Sequence, residues 1–258
     1  MLYKIEDLSF SYNKKQNILN NISLEINDNE LYCVLGKNGS GKTTFFKCLL
    51  KLLKNYQGNI YLNNANIKGL NERNIAKTVV FVPQISNTCF GYSVIDYVLM
   101  GLSSEVSIFS KPNKEQIARA INSLKIMELL EYKDRLFNEL SDGEKQQVTI
   151  ARAIVSNPKI IIFDEPTAHL DYANQIKVLR MIKDLACKGY SILFSSHDPN
   201  HALILNSKVL LLDGKGNIEK GNTIKLITEK NLKRIYGSDI KITYVEKLKR
   251  NICTYKTI

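Results

Sequence analysis

The sequence predicts an α/β fold: a parallel sheet at the centre, an antiparallel β subdomain on one flank and an inserted α-helical subdomain. Three observations predict it. Gly36-Lys37-Asn38-Gly39-Ser40-Gly41-Lys42-Thr43-Thr44 lies between a short apolar run at 31–35 and a segment with helical apolar spacing at 43–53. The run Ile160-Ile161-Ile162-Phe163 is apolar without alternation and ends in Asp164 and Glu165, the pattern of a strand covered on both faces. Residues 86–156 show helical periodicity at 94–102, 115–130 and 144–155 and no convincing strand, which marks an insertion.

Residues 2–10 alternate loosely and predict a strand. Asn13–Asn17 is a polar turn, and 18–26 is a second strand broken at Asn20-Asn21. Two strands ahead of the one at 31–35 predict an antiparallel flap beside the parallel sheet. Tyr12 offers an aromatic face that could stack on a base; a tyrosine after a strand is otherwise a packing residue. Strand, glycine loop and helix then follow in the order that G-x-x-x-x-G-K-[ST] requires, so the core is of the P-loop NTPase (RecA-like) type. Small residues let successive backbone N–H groups turn toward phosphates, and the helix N-terminus adds partial positive charge. Lys42 can reach the β- and γ-phosphates, and Thr43 can place its hydroxyl on Mg²⁺.

Residues 57–70 predict a hairpin around Asn63-Asn64, 71–77 a short helix and 78–83 a buried strand ended by Pro83. Gln84 follows at the carboxyl end of that strand, where open parallel sheets bind ligands. Its amide oxygen could coordinate the metal; a lone glutamine there is otherwise a surface residue. Ser141 and Glu144 form an S-x-x-E capping box ahead of an amphipathic helix, and a helix N-terminus of this kind is also an anion site. At the end of the 159–165 strand one carboxylate suits Mg²⁺ and its neighbour could orient or deprotonate water. A helix at 172–188 and a buried strand at 190–196 lead to His197, which could hydrogen-bond a γ-phosphate. Residues 208–213 and 217–220 predict an edge hairpin around Gly214-Lys215-Gly216. From 222 onward the chain is a basic, helical and mixed tail.

Of the 258 residues 44% are hydrophobic, enough for one α/β domain with an elaboration. No run approaches the roughly 20 apolar residues of a membrane span, and Met1-Leu2-Tyr3-Lys4 lacks the basic-then-apolar pattern of a signal peptide. The five cysteines (Cys33, Cys48, Cys89, Cys187 and Cys253) are scattered without a C-x-x-C pair, as expected of a reduced cytosolic compartment without a zinc site or disulfide framework. The formal charge of +11 suits a solvated basic surface first, because the lysines are spread along the chain; an anionic membrane comes second and nucleic acid third.

The motifs come in one order: glycine loop, Gln84, Leu140-Ser141-Asp142-Gly143-Glu144, Ile160–Glu165, Ala168-His169-Leu170-Asp171 and His197. In that order, over essentially the whole chain, they resemble the ATP-binding cassette (ABC) ATPases. The resemblance implies that Tyr12 stacks on adenine and that Gly36 to Thr44 form the Walker A loop. It makes Asp164 the Walker B acid, Glu165 the catalytic glutamate, Gln84 the Q-loop glutamine, Asp171 the D-loop acid and His197 the switch histidine. ATP and Mg²⁺ are the implied cofactors, with Thr43, Gln84 and Asp164 on the metal. Leu140 to Glu144 match the signature segment, which in this family meets the γ-phosphate held by a second subunit. A head-to-tail dimer with two ATP is therefore implied, with Ser141, Gly143 and Glu144 contributed across the interface. The family usually has Gly where this chain has Asp142, which puts a negative charge near a phosphate.

Phe90-Gly91-Tyr92-Ser93-Val94-Ile95-Asp96-Tyr97-Val98-Leu99-Met100-Gly101 and Asn231-Leu232-Lys233-Arg234-Ile235-Tyr236-Gly237 are similar to segments of importers of iron-siderophores, haem and cobalamin. Zinc and manganese importers carry related versions. The resemblance implies an ABC importer's ATPase subunit for an iron chelate or cobalamin, peripheral at the cytoplasmic face of the inner membrane. Its partners would be a second copy, integral permease subunits and, indirectly, a substrate-binding protein, with no nucleic acid. Rival readings are an exporter's ATPase half and a soluble ABC protein acting on nucleic acid; the latter usually carries two cassettes or a coiled-coil or zinc insertion. The expected division is a cassette at 1–236 (core 1–85 and 157–221, helical subdomain 86–156) and a tail at 237–258.

Overall fold

Alternation in the central strands decides how the layers stack. The computed structural model describes residues 1–13, 16–84, 91–105 and 111–255; Cys89, Phe90 and the start of the expected helical insertion lie outside them. In chain order the elements are β1 (Tyr3–Phe10), β2 (Leu19–Ile26), β3 (Leu31–Leu35), α1 (Lys42–Leu49), β4 (Gln57–Leu62), β5 (Ala65–Asn66), α2 (Glu72–Thr78) and β6 (Val79–Val82). The middle of the chain holds α3 (Val94–Leu99), α4 (Lys114–Ile126), α5 (Asp142–Ile154), β7 (Ile160–Phe163), α6 (Tyr172–Cys187), β8 (Ser191–Ser196) and α7 (Pro199–Leu205). The chain continues through β9 (Lys208–Leu212), β10 (Ile218–Asn222), α8 (Thr223–Leu226), α9 (Glu229–Tyr236), β11 (Ile240–Val245) and β12 (Arg250–Tyr255).

The central sheet runs β10-β9-β3-β8-β7-β6, parallel except for β10. Because successive side chains point to opposite faces, Cys33, Leu35, Ile161, Phe163, Ile192 and Phe194 join one core, which also holds the apolar faces of α3–α7. Tyr32, Val34, Ile160, Ile162, Leu193 and Leu210 join the other, beneath α1 and the flap β2-β1-β4-β5. Covering on both faces accounts for the non-alternating apolar runs in the sequence.

Three elements differ from expectation. β2 is continuous through Asn20-Asn21: Asn21 takes a left-handed φ of 48° and donates its N–H to Ser9 Oγ at 2.8 Å, so a bulge replaces the break. Helix α1 ends at Leu49, short of residue 53. Lys51 adopts a φ of 57° with its ammonium on the carbonyls of Lys68 and Leu70, and Leu52 N turns back to Lys47 O. β6 is half-exposed, since it forms the edge of the sheet. The mixed tail contains a hairpin, β11–β12, that docks on α7: Asn200 donates to Cys253 O at 3.2 Å and accepts from Cys253 N at 2.8 Å.

Candidate nucleotide site

The parallel register brings four strand ends together. β3 ends at Leu35 opposite Ser196 of β8, β8 pairs Phe194 with Phe163 of β7, and β7 pairs Phe163 with Val82 of β6. Each strand hands on directly to a predicted site residue: β3 to Gly36 and the glycine loop, β8 to His197, β7 to Asp164 and Glu165, and β6 to Gln84 one residue beyond Pro83. Tyr12, Asn38, Gly39, Gly41, Lys42, Thr43, Thr44, Gln84, Asp164, Glu165 and His197 line one cavity of about 630 Å³.

The loop is shaped for backbone donors. Gly41 caps α1 at φ 104°, and a Cβ there would stand 3.0 Å from Ile18 Cγ2, so a side chain would be both strained and crowded. Ser40 Oγ is buried without a partner, and Gly36 Cα is close enough that a Cβ would sit 2.5 Å from it. Lys37 contributes its carbonyl to Lys42 and, like Gly36 and Ser40, supports the loop without lining the cavity. Lys42 is only 4% exposed; its ammonium donates to Gly36 O at 3.0 Å and Lys37 O at 3.1 Å and lies 3.1 Å from Glu165 Oε1.

The two acids are held differently. Asp164 accepts from Thr43 Oγ1 at 2.7 Å on one oxygen and from Ser195 Oγ at 2.7 Å on the other. Glu165 donates its N–H to Ser195 Oγ at 2.7 Å and takes a left-handed φ of 46°, uncommon for a residue with a side chain. Its carboxylate lies between Lys42 and His197 Nδ1, the latter at 3.8 Å. Thr43 and Asp164 supply hard oxygen donors of the kind Mg²⁺ takes, and among the described residues no cluster of three His, Cys, Asp or Glu could hold a metal without further ligands. That donor set fits an ion completed by substrate phosphates and water. Gln84 Nε2 lies 2.9 Å from His169 Nε2. Tyr12 is 61% exposed, is packed edge-on by Phe10 at 4.8 Å, and has its hydroxyl 3.3 Å from Thr44 Oγ1.

Ser141, Gly143, Glu144 and Asp171 do not line this cavity. Ser141 caps α5 in the expected box: its N–H and Oγ donate to Glu144 Oε2 at 2.8 and 2.7 Å, which holds the Glu144 carboxyl below its ordinary pKa. Asp171 caps α6, accepting from Asn174 N and Asn174 Nδ2, each at 2.8 Å. The Asn174 amide in turn lies against Gly143, where a Cβ would come within 2.6 Å of it. Asn174 thus joins Asp171 to the start of α5. Asp142 points to solvent, 66% exposed, with Lys145 at 3.6 Å.

Two residues the sequence reading passed over belong to the site. Ser195 bridges both acids. A serine at the end of an otherwise apolar strand was its one available signal. His169 lines the cavity and meets Gln84; its place in Ala168-His169-Leu170-Asp171 was visible, its partner was not.

The profile of the ABC transporter family matches residues 19–168. The chain belongs to the ABC transporter family. This ABC cassette is 35% identical over 233 residues to the molybdate import ATP-binding protein MolC of Haemophilus influenzae, covering 90% of this chain and 87% of that one. It is 34% identical over 243 residues to an iron chelatin transport ATP-binding protein of Helicobacter pylori, covering 93% and 95%. Among solved structures, a metal-chelate type ABC transporter in an inward-facing conformation is 31% identical, covers 99% of this chain and 97% of that one, and superposes with a TM-score of 0.86. The cassette is an ATP-hydrolysing subunit of an ABC transporter, with the P-loop NTPase fold the sequence predicts. No helix among the described residues is long and apolar enough to cross a membrane.

Proposed function

We propose that this cassette energises uptake of a metal chelate, an iron chelate or cobalamin, at the cytoplasmic face of the membrane. The observation that carries the cargo class is the likeness to the metal-chelate type transporter along 99% of the chain, tail included. The likeness to a molybdate import protein favours a second reading, an oxyanion importer.

Tyr12 stacks on adenine, and the loop amides with Lys42 hold the phosphates. Thr43, Asp164 and Gln84 would hold Mg²⁺, which when bound neutralises phosphate charge. Glu165 orients or deprotonates the attacking water, and His197 meets the γ-phosphate from the other side. The Lys42–Glu165 pair gives these steps an order. Phosphates arriving at Lys42 displace Glu165, and the freed carboxylate then becomes available to water. Ser141 and Glu144 point to a second copy, because they sit at a solvent-facing helix start outside their own chain's cavity, and Gly143, buried against Asn174, shapes the backbone there. Asp171 and Asn174 back that surface. A groove of about 320 Å³ lined by Val80, Phe81, Pro83, Met100, Gly101 and Arg152 adjoins Gln84 and suits a helix of the permease. Gln84 then links that groove to the ligand state of the site.

The test is copurification of the tagged chain from membranes, followed by reconstitution in vesicles and ATP-dependent uptake. Uptake of labelled iron chelate or cobalamin supports the proposal. Uptake of molybdate alone overturns the cargo class. Salt-sensitive nucleic-acid binding with no membrane partner overturns the transport reading.

A further inference from the structure

His197 leaves β8 and enters α7 through a loop whose backbone is pinned on all sides. Asp198 N donates to Ser196 Oγ at 2.9 Å, Asn200 N donates to Asp198 Oδ1 at 2.8 Å, and Ser196 O accepts from Gly36 N at 3.3 Å. The carbonyl of His197 itself is held by the tail: Tyr236 donates its hydroxyl to His197 O at 2.7 Å across 39 residues of sequence. Tyr236 is the last residue of α9, and Gly237 follows at φ 72° to turn the chain into β11. A second tie runs from the same loop to the same tail, where the Asn200 amide makes two hydrogen bonds to the Cys253 backbone of β12. A two-point amide contact of this kind fixes a strand edge in register against a side chain. Ile240, Ile242 and Cys253 pack on the main core, so the hairpin is anchored rather than adrift. By contrast the His197 side chain is 55% exposed, and the ion-pair contact it makes among the described residues is with Glu165 at 3.8 Å. Its direction is therefore set by its backbone. Tyr236 also lies in Asn231–Gly237, a segment for which the ATP chemistry leaves no role.

We propose that the C-terminal segment is a positioning element for His197, with Tyr236 as its positioning residue and Asn200 as the secondary tie. Burial pushes the Tyr236 phenol far up, which keeps it a protonated donor at all working pH values. The tail thereby becomes part of the catalytic machinery without touching nucleotide. Changes in how the hairpin docks are transmitted to the switch histidine through one hydroxyl and one amide. The proposal rests on the role given to His197.

The test is steady-state ATP hydrolysis by the full chain carrying Tyr236→Phe, His197→Ala or both. Tyr236→Phe keeps the ring and removes only the hydroxyl. The expected result is a loss in kcat of about fivefold, the size of one net hydrogen bond. KM for ATP should stay unchanged, because the phosphates are held by 36–44, and the melting temperature should stay near wild type. Adding Tyr236→Phe to His197→Ala should lower kcat no further, since residues acting as a unit are non-additive. Equal fractional losses in both backgrounds, or no loss in the single variant, overturn the positioning role while leaving His197 in place. Normal turnover by His197→Ala removes the role of His197 and the proposal with it. If Tyr236→Phe does not fold, Asn200→Ala is read by the same non-additivity criterion.

Discussion

Lys42 Nζ lies 3.1 Å from Glu165 Oε1, and only the carbonyls of Gly36 and Lys37 share that ammonium in the described structure. The pair is largely withdrawn from water, with Lys42 4% and Glu165 21% exposed, so breaking it strands a charge. In the proposed function, nucleotide phosphates and Glu165 compete for this one cation. On the roles proposed for Glu165, Glu165→Gln removes the competitor and the base together. It should bind ATP several-fold more tightly than wild type while hydrolysing it at least about 100-fold more slowly, accumulating as an ATP-bound dimer. Calorimetric titration and single-turnover hydrolysis check this; normal turnover would refute the role of Glu165. In the same titration Lys42→Ala should lose most of its ATP affinity.

Ser195 carries a load out of proportion to its size. Its hydroxyl donates to Asp164 and accepts from Glu165 N, and the side chain is fully buried. Ser195→Ala leaves the Glu165 N–H without its acceptor, beside a residue already in the left-handed region. Removal of a buried partner costs about 2 kcal/mol, which denaturant unfolding would register. Turnover should fall about tenfold, because both acids lose their common tether. An unfolding free energy equal to wild type would mean that the Glu165 N–H finds another acceptor.

The parts of this site that lie within a few residues of one another were legible in the sequence. The glycine loop, the acids after β7 and the Ser141–Glu144 cap are local patterns in which spacing dictates geometry. Partners set by sheet register were not. Ser195 reaches Asp164 only because β7 and β8 run parallel with Phe163 beside Phe194. The link from Tyr236 to His197 depends on how a distant hairpin docks. Local signals also overreached at Asn20-Asn21, where polar composition suggests a break and a side-chain hydroxyl instead stabilises a bulge. The end of α1 was hidden because Lys51 is stopped by carbonyls of 68 and 70, far along the chain.

Asp142 separates helix stability from interface charge. It lies in the first turn of α5, where an acid favours the helix dipole, and it faces solvent beside Lys145. Asp142→Asn should destabilise the fold by about 0.5 kcal/mol. If α5 points at phosphates held by a second copy, the same change should raise turnover about twofold at low salt, with the difference vanishing near molar salt as the charge is screened. Lower turnover at every salt concentration would show instead that the carboxylate serves the interface.

His201 gives the fold a pH dependence of definite sign. It is buried in α7, with Nδ1 2.9 Å from Ser196 Oγ and Nε2 3.7 Å from Asp198 Oδ2. Burial lowers its pKa more than the Asp198 carboxylate raises it, and His197 pushes in the same direction as burial. The folded protein therefore keeps the imidazole neutral at pH values where the unfolded chain has protonated it. Below the unfolded value of about 6.5 the unfolded state binds the extra proton. The stabilisation is thus complete above that pH and is lost as pH falls toward the folded value. Denaturation midpoints measured downward from about pH 7.5 should begin to fall near pH 6.5. His201→Asn should flatten the curve over that interval, before the carboxylates titrate. Parallel curves for wild type and variant would assign the slope to another group.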